Sequence, residues 1–307
     1  MSIAAVSHTA GPPAPDVGAP VGGARRRSPL PYLLLLPGLL WLGLFFAVPI
    51  LTLFGTSLQT PVEGGEIGAF EQTFTWSNYP DALNEYWPQF LRSFVYAGIA
   101  TLLALAISYP LAYYIAQKAG RWRNLLLVLV VAPFFASFIL RTIAWRQLLG
   151  EGSYAVEILR ALHIMQPGDT LTNSAVAVVA GITYNFLPFM TLPLYASLER
   201  IDPKLIEAGG DLYASGFTTF RKVTVPLSMP GVVAGTLLTF IPAAGDYVNA
   251  ALLGRPPQTT MIGNVVESRF FRVVDYPTAA VLSFLLMAAI LAIVTVYIRR
   301  AGTEELV

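Results

Sequence analysis

Long apolar runs alternate with polar, glycine- and proline-bearing segments along this chain. The runs cover about Leu30 to Phe54, Phe94 to Ala116, Leu125 to Leu148, Ser174 to Leu198, Met229 to Leu253 and Thr278 to Ile298. Each is about 20 residues or more, the length a helix needs to cross a hydrocarbon layer about 30 Å thick. A barrel strand needs only about 10 residues and alternates apolar with polar positions, which these runs do not. The pattern therefore predicts an all-α membrane protein with six transmembrane helices. Pro49, Pro110, Pro133, Pro188, Pro193 and Pro242 fall within or near the runs. They are expected to kink helices that neighbouring helices can still accommodate.

The flanks define four stretches. Residues 1–28 are rich in Pro, Gly, Ala and Ser and end in Arg25-Arg26-Arg27. Such a composition cannot bury enough apolar area to offset the entropy of ordering, so a disordered cytoplasmic tail is expected. A removable signal peptide is the competing reading, but the apolar run that follows is too long for one. Residues 29–91 then hold the first helix and an external segment, 92–299 the remaining core, and 300–307 a cytoplasmic C-terminal tail. Placing both termini in the cytoplasm puts 12 of the 19 Lys and Arg on that side, among them Lys118, Arg121, Arg123, Arg200, Lys204, Arg221 and Lys222. This satisfies the positive-inside bias. The segment from about residue 57 to 91 instead carries Glu63, Glu66, Glu71, Asp81 and Glu85, with Trp76, Tyr79, Tyr86 and Trp87 suited to a membrane interface.

Composition removes several function classes. With 55% hydrophobic and 12% charged residues in 307, the chain has more apolar surface than a soluble domain can hide. A net charge of +1, with cations scattered at segment ends, gives no basis for a nucleic-acid partner. Without cysteine there is neither a thiolate metal site nor a cysteine nucleophile, and His8 and His163 are too far apart to suggest a metal cage. No metal or other cofactor is expected. No Gly-x-x-x-x-Gly-Lys-Ser/Thr run occurs, so nucleotide hydrolysis is assigned to another polypeptide.

One cytoplasmic segment does not fit a plain connecting loop. Asp202-Pro203 is a good helix start, a capping carboxylate before a proline at the first helical position. Leu205, Ala208, Gly209 and Leu212 then recur at helical spacing beside Glu207 and Asp211. The result is a short amphipathic helix, kept short or bent by Gly209 and Gly210, each costing about 1 kcal/mol against alanine. Two readings fit: a helix laid into a partner's groove, or an interfacial helix lying on lipid headgroups.

The segment Glu207-Ala208-Gly209-Gly210-Asp211-Leu212-Tyr213, continuing through Phe220 to Val223-Thr224-Val225-Pro226, resembles the Glu-Ala-Ala loop of permease subunits in ATP-binding cassette (ABC) importers. Gly209 stands at the third triplet position and Tyr213 at the usual glycine. The likeness runs from about residue 30 to 300. Pro133-Phe134, Arg141-Thr142, Ala144-Trp145, Pro188-Phe189-Met190, Pro226-Leu227-Ser228-Met229-Pro230-Gly231, Gly245-Asp246-Tyr247-Val248 and Ile262-Gly263-Asn264-Val265 are similar to spermidine and putrescine permeases. The resemblance implies a type I importer permease with a five-helix core within 92–299, in a prokaryotic plasma membrane. It implies two ABC ATPase subunits, a second permease and an extracytoplasmic binding protein as partners, and a polyamine as cargo. Glu207 becomes the polar contact to the ATPase and Ala208 permits close approach, with Gly209, Leu212, Tyr213 and Gly216 completing the coupling loop. Because tyrosine disfavours positive φ, the bend is expected at Gly209, Gly210 or Gly216.

Asp246 is the one carboxylate inside a predicted span. It either borders a polar route, on a helix broken at Pro242 and Gly245, or reaches water at the external end of its span. Tyr247 accompanies it, and Asn185 and Tyr184 line the same cavity or else form helix-to-helix hydrogen bonds. Arg141 and Arg146 either serve the route or snorkel to headgroups. Rival functions are an importer of another small organic solute, an ion-gradient-driven transporter and an intramembrane enzyme. The second needs more intramembrane titratable groups than Asp246, and nothing at helical spacing supports the third.

Overall fold

The computed structural model describes residues 30–62, 64–163, 166 and 171–301. The expected tail of residues 1–28, Glu63 and residues 302–307 lie outside the described residues. The chain divides into two compact units, one up to Pro49 and one from Ile50 onward.

In the first unit, α1 (Leu30–Leu42) continues through a π-helical turn at Gly43–Ala47. Its described side chains are apolar on every face and mostly exposed, with Leu34 at 74%, Trp41 at 65% and Phe46 at 68%. A helix apolar all round is built for lipid rather than for water. Helix α2 (Val48–Ser57) runs on from there.

The second unit opens with a small antiparallel pair, β1 (Gln59–Pro61) and β2 (Phe70–Gln72), in the register Gln59 to Gln72 and Pro61 to Phe70. Then α3 (Asn78–Gln117) runs for 40 residues, starting 16 residues before the apolar run predicted. At 1.5 Å per residue it is about 60 Å long, twice the hydrocarbon thickness of a bilayer. The early start is anchored by Asn78, whose amide donates to the carbonyls of Ser57 and Gln59, both at 3.0 Å. It was hidden because Asp81, Glu85, Gln89 and Arg92 interrupt the apolar run. The buried stripe nonetheless continues through Ala82, Tyr86, Phe90, Ser93 and Ala97 at helical spacing.

The predicted third span is broken. Helix α4 (Arg123–Val131) and a 3-10 turn ending at Phe135 meet α5 (Phe138–Leu148) at 96°. Pro133 opens that turn, and Ala136 and Ser137 are extended, so the helix cannot continue through them. By length and composition, five helices among the described residues can cross a membrane, and a sixth span results if this bent pair counts as one.

After α6 (Tyr154–Ala161), α7 (Ala175–Glu199) forms the centre of the bundle. Helices α8 (Pro203–Asp211) and α9 (Gly216–Thr219) lead through a π-helical turn at Phe220–Thr224 into α10 (Val225–Ala244). The predicted fifth span ends there rather than at Leu253. Gly245 to Tyr247 break the helix, and α11 (Val248–Leu253) is a separate piece. Helix α12 (Ile262–Ser268), a further π-helical turn and α13 (Tyr276–Ala301) complete the fold.

Small side chains let α3, α7 and α10 pack closely. Ala97, Ala100, Ala104, Ser108 and Ala112 on α3 are wholly buried, facing Ile182, Met190, Leu194 and Leu198 of α7. Close approach through small residues is the main source of helix association in lipid, where apolar burial gains little. Replacing Ala104 with leucine should therefore force α3 away from α7 and cost about 1–3 kcal/mol. A lowered melting midpoint of the purified permease is the expected result, and an unchanged one would mean that the contact is not tightly packed.

Candidate functional site

The cytoplasm-assigned loop is a helix-turn-helix with defined caps. Asp202 caps α8 through its carboxylate, accepting from the Lys204 amide at 3.0 Å, and Ser215 caps α9 by accepting from Thr218 at 3.3 Å. Helix α8 runs straight through Gly209 and Gly210, so the bend is not where the glycines predicted it. It falls at Tyr213, whose φ is +57°. The Tyr213 amide donates to the Gly210 carbonyl at 2.9 Å, and the Ala214 amide to Gly209 at 3.0 Å. These are the two bonds of a Schellman stop, with tyrosine in the left-handed position that glycine usually fills. A side chain there costs about 1–2 kcal/mol, recovered in part because the bonds satisfy carbonyls at the helix end.

Gly209 has a different use. A Cβ on it would lie 2.7 Å from Thr219 Oγ1, so only glycine lets α8 settle against α9. Gly210 and Gly216 have open space around them. The apolar stripe faces outward, with Leu205 at 48% exposure and Leu212 at 81%. Glu207 and Ala208 are also exposed, and Glu207 has no ion pair among the described residues. Inside, Ile206 packs on the α3 and α7 core, and Phe220 fits edge-on against Tyr109 and Tyr113, 5.7 Å from each ring. At the adjoining end of α7, Glu199 pairs with Arg123, which also donates to the Tyr195 hydroxyl.

The pathway residues fall into separate places. Asp246 does not reach water: it is 7% exposed, and its two oxygens accept from Asn249, one from the backbone and one from the side-chain amide, both at 2.8 Å. The Asn185 amide donates to Asn249 Oδ1 at 3.0 Å and to Thr142 Oγ1 at 3.1 Å. Asp246, Asn249, Asn185 and Thr142 thus form one buried polar chain across α5, α7 and α11. It lies where α10 ends. Close backbone contact seals it, since a Cβ on Gly181 would strike Asn249 and one on Gly263 would strike the Gly245 carbonyl. Sequence reasoning missed Asn249 and Thr142. The spacing of Asn249 three residues after Asp246 was the available signal, because it lets one residue cap the next turn.

Tyr247 points elsewhere. Half exposed, it lines a cavity of about 630 Å³ between α10, α12 and α13, together with Gly245, Gly263, Val266, Glu267 and Phe271. Glu267 was also missed, because α12 falls outside the apolar runs. Its nearest cation is Arg272 at 3.6 Å. A smaller opening of about 170 Å³ brings together Asp81, Glu85 and Asp275, with Arg269 bridging Glu85 and Asp275 at 3.3 Å to each. Tyr184 lines two further cavities, of about 260 and 350 Å³, beside Trp145.

Arg141 borders the 260 Å³ cavity and is not free to snorkel. It is 8% exposed, its guanidinium lies over Phe134 and Phe138 at 5.4 and 5.6 Å, and its Nε has no acceptor. The 96° break turns this first turn of α5 inward; Arg146, further along, is exposed.

A lipid-facing helical bundle with a capped helix-turn-helix inserted between two of its spans defines a membrane transport subunit. The chain belongs to the family of binding-protein-dependent transport system inner membrane components, whose model matches residues 108–301. It is 35% identical over 260 residues to the spermidine/putrescine transport system permease protein PotB of Escherichia coli (strain K12), covering 84% of this chain and 93% of that protein. It is 31% identical over 297 residues to the inner membrane ABC transporter permease protein YdcU of the same organism, covering 89% and 90%. The fold is similar to that of a bacterial alginate ABC transporter, solved with an alginate pentasaccharide-bound periplasmic protein. That match has a TM-score of 0.63 at 16% identity, and covers 87% of this chain and 92% of the other. The protein is an inner-membrane permease component of an ABC importer.

Replacing Asn249 with leucine should strand the Asp246 carboxylate and remove an acceptor from Asn185, at a cost of about 1–3 kcal/mol. Asp246→Asn should cost less, since its oxygen can still accept from the Asn249 amide. The melting midpoints of the two purified variants check the order, and an Asn249→Leu variant as stable as wild type would contradict the role of the chain as a tie.

Proposed function

We propose that this permease imports a polyamine or a similar small organic cation. The observation that carries the reading is the 35% identity to a spermidine/putrescine permease across 84% of the chain. Charge supports it. The acids Asp81, Glu85 and Asp275 gather on one small opening, where Arg269 pairs with two of them, and Glu267 lines the otherwise apolar 630 Å³ cavity; acids in clefts attract cations. Tyr247 borders this route with Glu267 as a further contact, and the buried Asp246 acts on it from behind, through the break at Gly245. Tyr184 and Asn185 belong to the same proposed pathway, but buried Arg141 makes their side the poorer place for a cation.

In this reading both termini are cytoplasmic and residues 92–299 form the transport core. ATP is hydrolysed by separate ATPase subunits that hold the loop through Glu207, Ala208, Leu212 and Tyr213, with Gly209 and Gly216 shaping it. A second permease completes the bundle, and an extracytoplasmic binding protein delivers the cargo. Closure of the ATPases moves α8 and α9. Helix α10 starts directly after that loop and ends at Gly245, so it carries the movement to the Asp246 chain and the Tyr247 cavity. Access then alternates from one side of the membrane to the other.

The test is uptake of labelled spermidine by the importer reconstituted in vesicles. Uptake should require ATP and survive collapse of proton and sodium gradients; the reverse pattern would assign the chain to gradient-driven transport. Glu267→Gln should lower spermidine uptake by about tenfold, the equivalent of about 1.4 kcal/mol, while leaving assembly intact. Unchanged uptake by that variant would remove the cavity from the route.

A further inference from the structure

Tyr213 holds a backbone conformation that its side chain disfavours; the helix-end bonds recover part of that cost, but no contact among the described residues uses its ring. Its φ is +57°, its ring is 99% exposed, and its hydroxyl has no hydrogen-bond partner among the described residues. Leu212 at 81% and Phe217 at 72% flank it, forming an apolar tip on the outer side of the turn. The inner side is rigid, because Gly209 sits against Thr219 and Phe220 is wedged between Tyr109 and Tyr113. The fold therefore holds the backbone of this residue in place and leaves its ring clear of the chain's own contacts. A large aromatic ring left fully exposed, at a position that glycine fills at lower cost, points to a use outside the chain.

We infer that Tyr213 is a specificity anchor: its ring inserts into an apolar pocket of this importer's own ATPase subunit and helps select that ATPase over others. The inference rests on the proposed docking role of the 203–219 loop and adds the residue that makes the match selective. A lipid surface is the poorer occupant. From Glu199 to Lys222 the segment balances four acids against four cations, so it lacks the basic excess by which interfacial helices bind anionic headgroups. The docking role supplies an ATPase surface instead, and tyrosine is a residue on which interface energy is usually concentrated. Glycine at this position would relax the turn and present no ring, so it would dock without discriminating.

The experiment uses the intact importer, purified, stripped of its ATPase and titrated with that same ATPase. Tyr213→Gly should raise the melting midpoint of the stripped permease and weaken rebinding by about tenfold. Tyr213→Ala should weaken rebinding equally without raising the midpoint, and Tyr213→Phe should stay within about twofold of wild type. Wild-type rebinding by the Gly and Ala variants, with rebinding lost in Glu207→Lys, would leave the docking loop standing and overturn the anchor. Normal rebinding by all of them would overturn the docking role itself. Quenching of a Tyr213→Trp variant by brominated lipid in the assembled importer would put the ring on the membrane and also overturn the inference.

Discussion

A carboxylate in a lipid-facing bundle must be solvated by the protein itself, and the fold around Asp246 is organised by that requirement. A buried carboxylate left without its donors costs about 1–3 kcal/mol or more. Asn249 supplies two donors to it and passes the polarity on to Asn185 and Thr142, so three helices are held in one register. Such bonds are directional, unlike the contacts of Leu and Val with lipid or with each other. They give the C-terminal end of α10 a fixed partner, and α10 is also the element that follows the 203–219 loop.

This arrangement connects the two ends of the proposed mechanism without a long chain of side-chain relays. The loop end is stiff, through the Phe220 wedge and the Gly209 contact with Thr219. The far end is held by the buried polar chain. Between them runs a helix of 20 residues, a length of about 30 Å, with Pro230 and Pro242 inside it. Movement imposed on α8 and α9 therefore has to appear either as rotation of α10 or as loosening of the polar chain. The 630 Å³ cavity is bordered by Gly245 and Tyr247, immediately beside that chain, so either response changes its shape.

Apolar run length made most of the bundle legible, because spans must satisfy their own backbone and cannot be short. It failed where that rule does not reach. The first half of α3 is amphipathic, with Asp81, Glu85 and Arg92 on its outer face, and a search for unbroken apolar runs passes over it. The apolar run continues past the end of α10 to Leu253, yet the break that Pro242 and Gly245 marked does fall at Gly245. In the coupling loop the motif was legible but the turn was not. Glycines marked the expected bend, yet the helix-end hydrogen bonds impose left-handed geometry by position, whichever residue stands there. Arg141 was left between the route and headgroup snorkelling, because its burial depends on the angle between α4 and α5, which composition does not encode.

The central claim is that the loop and the Asp246 chain move together through α10. Hydrogen–deuterium exchange of the reconstituted importer, compared between a state trapped with a non-hydrolysable ATP analogue and the nucleotide-free state, tests it directly. The account predicts that exchange at residues 245–253 changes along with exchange at 203–219. Changes confined to 203–219, with 245–253 equally protected in both states, would contradict it.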